Sequence, residues 1–163
     1  MAGRIASYPW HARSLRSPGQ WPLSLKNALV LLLECKLPMY LAWSPGLTQL
    51  YNDAYRPILG DKHEGALGGS ARTTWSDIWP TIGPMWQAVL RGEAIGFDDF
   101  KLTIERYGVP EDRCFNFSYS PVRLGQPNAR RPWSMGGCGV KRIESVRRPR
   151  SVGAFGVPSA LKG

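Results

Sequence analysis

Cysteine and histidine are scarce in this chain: Cys35, Cys114 and Cys138, with His11 and His63, are all that 163 residues contain. The cysteines lie far apart with no C-x-x-C pair, so neither a disulfide framework nor a thiolate metal site has its ligands, and reduced thiols are expected. With only two histidines, no zinc site and no histidine-based triad is expected. His63 sits between Asp61 and Glu64, which reads as a polar surface loop. Long apolar runs are missing too. The longest, Ala28 to Leu33, stops at Glu34 and Lys36, well short of the roughly 18 to 20 residues a membrane-spanning helix needs. Residues 1–16 carry basic side chains but no apolar stretch of the kind that marks a secretory signal, so a cytoplasmic location is expected.

Acidic charge is nearly absent from one part of the chain. Residues 1–122 hold 12 Lys+Arg against 11 Asp+Glu, whereas residues 123–163 hold 9 against 1, so the net charge of +9 belongs almost wholly to the tail. Those 41 residues also include 7 Gly and 4 Pro and keep neither a helical nor a strand period. Arg130, Arg131, Arg147, Arg148 and Arg150 raise the question of nucleic acid, but no aromatic interleaving or helical stripe organises them. A solvated, disordered tail is the favoured reading and a basic-tailed nucleic-acid-binding protein the alternative. The alternative requires affinity that falls steeply with salt and disappears when residues 123–163 are removed.

Patterning before the tail is dense. After an irregular lead, residues 1–21, with Trp10 and Trp21 packing it down, Pro22 opens an amphipathic helix whose Leu23, Leu25, Ala28, Leu29, Leu32 and Leu33 cover one broad face to about Lys36. Met39 to Trp43 and Leu47 to Tyr51 flank Ser44-Pro45-Gly46 and predict a hairpin. Asn52 is placed to cap the short helix that follows, a role whose loss in Asn52→Ala costs on the order of 1 kcal/mol. Residues 61–74 read mostly as loop, with Gly65, Gly68 and Gly69 as a flexible connection that lacks the spacing of a phosphate loop. A second helical zone runs from Trp75 to Leu90, broken around Pro80 to Pro84. Alternation in Phe100 to Glu105 and in Phe115 to Ser120 predicts a long hairpin turning at Gly108 to Asp112. The order describes one α+β domain: an antiparallel sheet with helices on one side.

Few residues carry recognisable chemistry. The pairs Asp98/Asp99 and Glu111/Asp112 do not form a general acid/base couple, because adjacent strand residues point to opposite faces and the second pair falls in the turn. Arg113-Cys114-Phe115 matches part of the cysteine motif of flavin-binding light-oxygen-voltage domains, but that cysteine belongs on a helix and Cys114 falls in a strand pattern, so the match reads as coincidence. No catalytic residue, metal ligand or cofactor is indicated. Abundant aromatics can line a small-molecule cavity or simply fill a core. A ligand, if bound, is expected between sheet and helices, against some of Met39, Leu41, Trp79, Trp86, Phe115 and Phe117.

Ordered segments carry a family resemblance. Trp21-Pro22-Leu23-Ser24-Leu25, Leu37-Pro38-Met39-Tyr40-Leu41-Ala42-Trp43-Ser44-Pro45-Gly46-Leu47, Tyr51-Asn52-Asp53-Ala54-Tyr55 and Ile58-Leu59-Gly60 come first. Trp75-Ser76-Asp77-Ile78-Trp79, Ile82-Gly83-Pro84, Gly92-Glu93-Ala94 and Phe115-Asn116-Phe117-Ser118-Tyr119-Ser120-Pro121-Val122 follow in the same order. Together, over residues 22–122, they resemble the amino-terminal PAS-type sensor domain of bacterial multi-sensor histidine kinases. The resemblance implies a five-stranded antiparallel sheet flanked by short helices. It implies an input module that binds a small-molecule ligand or a protein and self-associates through the domain. It implies no kinase activity for these residues, which include neither a phosphoacceptor helix nor an ATP-binding half.

The resemblance ends after Val122, where the family continues with a polar turn, a last apolar strand, a Glu-Thr-Thr-x-Arg-Val segment and an Arg-Arg-Leu-Arg helix. A shifted reading frame produces such a break. Gly139 to Ser145 can be back-translated so that a displaced frame reads Gly-Glu-Thr-Asn-Arg-Val, and the coding DNA tests this. Gln126 to Gly139, rich in Pro and Gly, makes a poor last strand. An exposed sheet edge, a mobile tail and a marginally stable, self-associating protein are therefore expected.

Overall fold

The computed structural model describes residues 1–12, 15–43, 46–123 and 138–147, and within the last of these segments the side chain of Ile143 alone. The lead is less irregular than its prolines and glycine suggest. It opens with helix α1, Ala2–Ser7, whose buried Ile5 accepts a hydrogen bond on its carbonyl from the Trp10 indole at 2.7 Å. Trp10 and Trp21 meet edge to face at 5.2 Å, as the sequence suggests. Helix α2, Leu23–Glu34, starts after Pro22 and buries Leu25, Ala28 and Leu32.

Strands β1, Met39–Trp43, and β2, Thr48–Tyr51, form the expected hairpin, and every residue in both is buried. A 3-10 turn, Asp53–Tyr55, leads into α3, Arg56–Leu59. The stretch expected to be loop is largely helical, with a 3-10 turn at Gly60–Lys62, then α4, His63–Ala66, and α5, Ala71–Thr74. Nor is the glycine segment a loose connection. The amide of Gly68 donates to the Gln49 carbonyl and that of Gln49 to the Gly69 carbonyl, closing off the outer edge of β2. Gly68 has φ +69, and a Cβ there would lie 2.6 Å from the Tyr8 ring, so only glycine fits this turn.

Helix α6, Trp79–Leu90, runs unbroken: Pro80 lies in its first turn, where the missing amide costs nothing, and Pro84 is accommodated inside. Strands β3, Ile95–Arg106, and β4, Val109–Val122, make a longer hairpin than the alternation alone marks, and its turn is only Tyr107-Gly108. An irregularity in β3 falls at Asp98 and Asp99, where the Asp99 amide is taken up by Asn116 Oδ1 at 2.8 Å. This adjacent acidic pair is a strand bulge.

The main correction concerns the tail. Residues Cys138–Arg147 form β5, and the sheet order is β2-β1-β5-β4-β3, so this segment is the central strand, antiparallel to both β1 and β4. The expectation that no core element follows Arg123 does not hold, and the open edge expected from Gln126 to Gly139 is not where that strand belongs: β1 and β4 are joined through β5. Ile143 is 1% exposed and its amide donates to the Pro38 carbonyl at 3.0 Å. Expectations of disorder for 124–137 and 148–163, including Arg130, Arg131, Arg148 and Arg150, fall outside the described residues. Helix α2 packs on β1, β2 and β4, and α6 on β4 and β5. Among the described residues no helix is long and apolar enough to cross a membrane.

Candidate functional site

The space between the sheet and α3–α6 is walled by Tyr40, Tyr55, Trp75, Trp86, Phe115 and Tyr119, with aliphatic side chains from α3, α6 and β3 closing the rest. The rings pack in a continuous series: Tyr40 on Tyr55 at 5.1 Å, Tyr40 on Trp86 at 5.9 Å and Trp86 on Tyr119 at 4.7 Å. What remains open to the centre of a water-sized sphere is about 10 Å³. That is roughly the room for one water molecule, against the roughly 300–1,000 Å³ of pockets that take drug-sized ligands. Burial raises the Tyr40, Tyr55 and Tyr119 hydroxyls well above their ordinary range, so all three are neutral at physiological pH.

Of the six candidate contacts, Trp86 and Phe115 line this cavity and the other four do not. Tyr40 faces it, so Met39 and Leu41, one residue to either side, alternate to the opposite face, where α2 packs on β1. Trp79 lies outside the lining. Arg72 stacks on its ring at 5.5 Å, and a Cβ at Gly83 would fall 2.9 Å from its indole nitrogen. Phe117, between Phe115 and Tyr119 on β4, stacks on Phe97 at 5.2 Å and Phe100 at 5.9 Å. The strand alternation in the sequence identifies two faces without saying which of them meets α6, so the parity of β1 stays open until the structure places Tyr40 in the cavity lining.

Two buried amides flank the cavity. Asn52 accepts from the Tyr55 amide at 3.1 Å, the capping bond, and Oδ1 also accepts from the Met39 amide at 3.0 Å. Its Nδ2 donates to the carbonyls of Cys35 at 2.9 Å and Leu37 at 2.8 Å. One side chain thereby fastens the end of α2, the start of β1 and the turn into α3. Gln49, which the sequence reading passed over, accepts from the Tyr40 hydroxyl at 2.9 Å and donates to the Ala66 carbonyl at 3.0 Å and Thr74 Oγ1 at 2.6 Å. A polar residue at an all-buried strand position was the available signal for it.

His63 is buried rather than on a surface loop. Arg4 Nη1 lies 2.9 Å from its Nε2, and the Tyr51 hydroxyl lies 2.9 Å from its Nδ1 and donates to the His63 carbonyl at 3.0 Å. A guanidinium can only donate, so Nε2 is the acceptor and Nδ1 carries the proton given to Tyr51. Burial first, then the Arg56 and Arg4 charges, hold the imidazole pKa below its ordinary value, and burial pushes the Tyr51 hydroxyl up to about 12. Among the described residues no cluster of histidine, cysteine and acidic side chains can hold a metal ion. Cys114 lies in β4 next to the cavity-lining Phe115, and so on the other face of the sheet.

A central last strand in an antiparallel sheet of order 2-1-5-4-3, with short helices over one face, defines the class: an α+β domain of PAS-like fold. No protein-family model matches the sequence, and no curated protein matches it. Among solved structures, the chain is similar to the crystal structure of a LOV protein from Rhodobacter sphaeroides, with a TM-score of 0.51 over 79% of this chain and 69% of that one. The two are 16% identical, a likeness of fold alone. Neither flavin nor haem fits the cavity described above, which has about 10 Å³ open and no cysteine in its lining.

Proposed function

We propose that this chain is a sensory or protein-interaction module of the PAS type from a two-component histidine kinase, and that its role is to pass on a conformational state rather than to carry out chemistry. The PAS-like sheet order supports this reading, together with the succession of kinase-sensor segments from Trp21 to Val122 that runs through it in sequence. Between the two forms of input, the filled cavity favours contact with protein. A metabolite-sized ligand has to displace rings that already pack at 4.7 to 5.9 Å. A water is the only guest the present packing admits.

The experiment fuses the chain ahead of a histidine-kinase core stripped of its own input domain and follows autophosphorylation. Coupling predicts that repacking Trp86 to Leu changes the rate while the core alone stays constant. A fusion whose rate is indifferent to Trp86, Tyr119 and Tyr40 alike sinks the sensory reading. A visible absorption band in the purified chain sinks the closed-cavity argument on its own.

A further inference from the structure

His63 is buried in α4, yet the side chain that reaches its Nε2 comes from α1, 59 residues earlier in the chain. The 2.9 Å approach of Arg4 Nη1 holds one hydrogen, and the guanidinium always supplies it. The other ring nitrogen is committed as well, because the Tyr51 hydroxyl gives its own proton to the His63 carbonyl and accepts the one on Nδ1. Both nitrogens of the neutral imidazole are thus in use. A second proton has only Nε2 to go to, and there it sets N–H against N–H across a contact with space for a single hydrogen.

The charges around the ring do not relieve that conflict. Arg4 faces it from α1, Arg56 from α3, Asp53 from the 3-10 turn and Glu64 from α4 itself, with the neutral Tyr51 hydroxyl reaching in from β2. Of the two carboxylates, Asp53 is already engaged by the Met1 ammonium and by Arg56, and Glu64 stands in solvent. Relief has to come from the side that can move. Tyr51 and the strand that carries it are buried, whereas Arg4 is exposed and α1 is six residues long with Ile5 as its buried side chain.

We propose that His63 and Arg4 form a proton-operated latch: with His63 neutral, α1 is held against α4, and with His63 protonated, α1 is let go while the sheet and α6 keep their packing. The inference does not depend on the sensory role, since it uses only the contacts of α1 with α4 and the hydrogen bonds of one imidazole.

Nuclear magnetic resonance on the full chain tests it, following the His63 imidazole together with hydrogen exchange, corrected for its intrinsic pH dependence, between about pH 7.5 and 5.5. The reporters are the Ile5 amide, bonded to the Met1 carbonyl, and the Trp10 indole, bonded to the Ile5 carbonyl. Their protection should fall roughly tenfold in step with the titration of His63, while amides of α6 and β4 hold theirs. His63→Gln offers Arg4 an acceptor oxygen at every pH and should keep α1 in place throughout. Arg4→Gln, at an exposed position, can turn its own oxygen to a protonated Nε2, so α1 should stay protected and the His63 midpoint should rise. Constant protection of α1 while His63 titrates overturns the proposal, as does a loss that persists in Arg4→Gln with the midpoint unmoved. Protection lost equally in α1, α6 and β4 overturns it too, since the whole fold is then what opens.

Discussion

The two hairpins of the sheet are built by different rules. In β1–β2 all nine residues are buried, polar Thr48 and Gln49 included, because α2 covers one face and the smaller helices the other. In β3–β4 burial alternates along much of the length, and the turn end stands in solvent with Val109 more than half exposed. The first hairpin is tied to its surroundings by two side-chain amides, Gln49 and Asn52. The second depends on backbone pairing and a row of aromatic rings. Within the sheet the two hairpins are joined through β5, the last of the five strands in chain order.

The strongest way to break that arrangement is to empty the joint. Ile143→Ala removes a buried branched side chain at the centre of the sheet and should cost about 2–5 kcal/mol, read as a lower urea midpoint. Removing the whole of β5 should leave two unpaired inner edges, on β1 and β4, and abolish cooperative unfolding. An unchanged midpoint for Ile143→Ala would mean that residues 138–147 are not the central strand.

Next in size is the amide knot of the first hairpin. Capping alone makes Asn52→Ala an effect of about 1 kcal/mol. The structure adds three further bonds to the same side chain, and each buried group left without its partner costs about 1–3 kcal/mol, so the expected loss rises to about 3 kcal/mol. The corresponding polar contact of the second hairpin, Asn116 on the Asp99 amide, is exposed. Asn116→Ala should fall within about 0.5 kcal/mol of wild type. Equal losses at the two asparagines would erase the distinction between the hairpins.

What the sequence allowed to be read follows the same division. Alternation made β3 and β4 visible because one side of each meets water, and turn residues bracketed β1 and β2. Parity within β1 could not be read, since a strand buried on both faces has no polar side to orient it. The structure therefore settles what the pattern leaves open, with Tyr40 rather than Met39 and Leu41 in the cavity lining. His63 and Gln49 were missed because a buried polar residue is spelled like an exposed one, and only the partners Arg4, Tyr51, Tyr40 and Thr74, distant in sequence, distinguish them. Strand β5 was hidden by composition: Gly139 and a run of basic residues argue against a core strand, and pairing on both sides outweighs that weak propensity.

A smaller effect separates the hairpins by pH. His63 binds its proton less readily in the folded protein than its ordinary value of 6.5 implies. The unfolded chain therefore binds more protons as pH falls below that value. Stability is complete above about pH 6.5 and drains away as pH drops toward the folded pKa. The protonated ring is also repelled by the Arg56 and Arg4 charges, with Glu64 and Asp53 opposing them. Melting temperature should fall between pH 7.5 and 5.5, and His63→Gln should flatten that slope while changes in the second hairpin leave it alone. A slope that survives His63→Gln assigns the loss to other groups.

The smallest expected change is a gain, at the open end of the second hairpin. Tyr107 and Gly108 both have positive φ, +53 and +71, the signature of the mirror-image two-residue turn that matches strand twist. Glycine takes this conformation freely, but tyrosine has a Cβ that the left-handed region disfavours by about 1 kcal/mol or more. The Tyr107 side chain is 71% exposed, so little packing offsets that strain. What the fold uses here is the backbone, whose amide donates to Asp61 Oδ1 at 2.9 Å. Asparagine keeps the amide and tolerates positive φ, so Tyr107→Asn should stabilise the protein by about 0.5–1 kcal/mol, with the urea midpoint rising and its slope unchanged. A loss of stability would show that the tyrosine ring contributes contacts worth more than the strain it imposes, and the hairpin would then depend on side-chain packing at its tip as well as along its length.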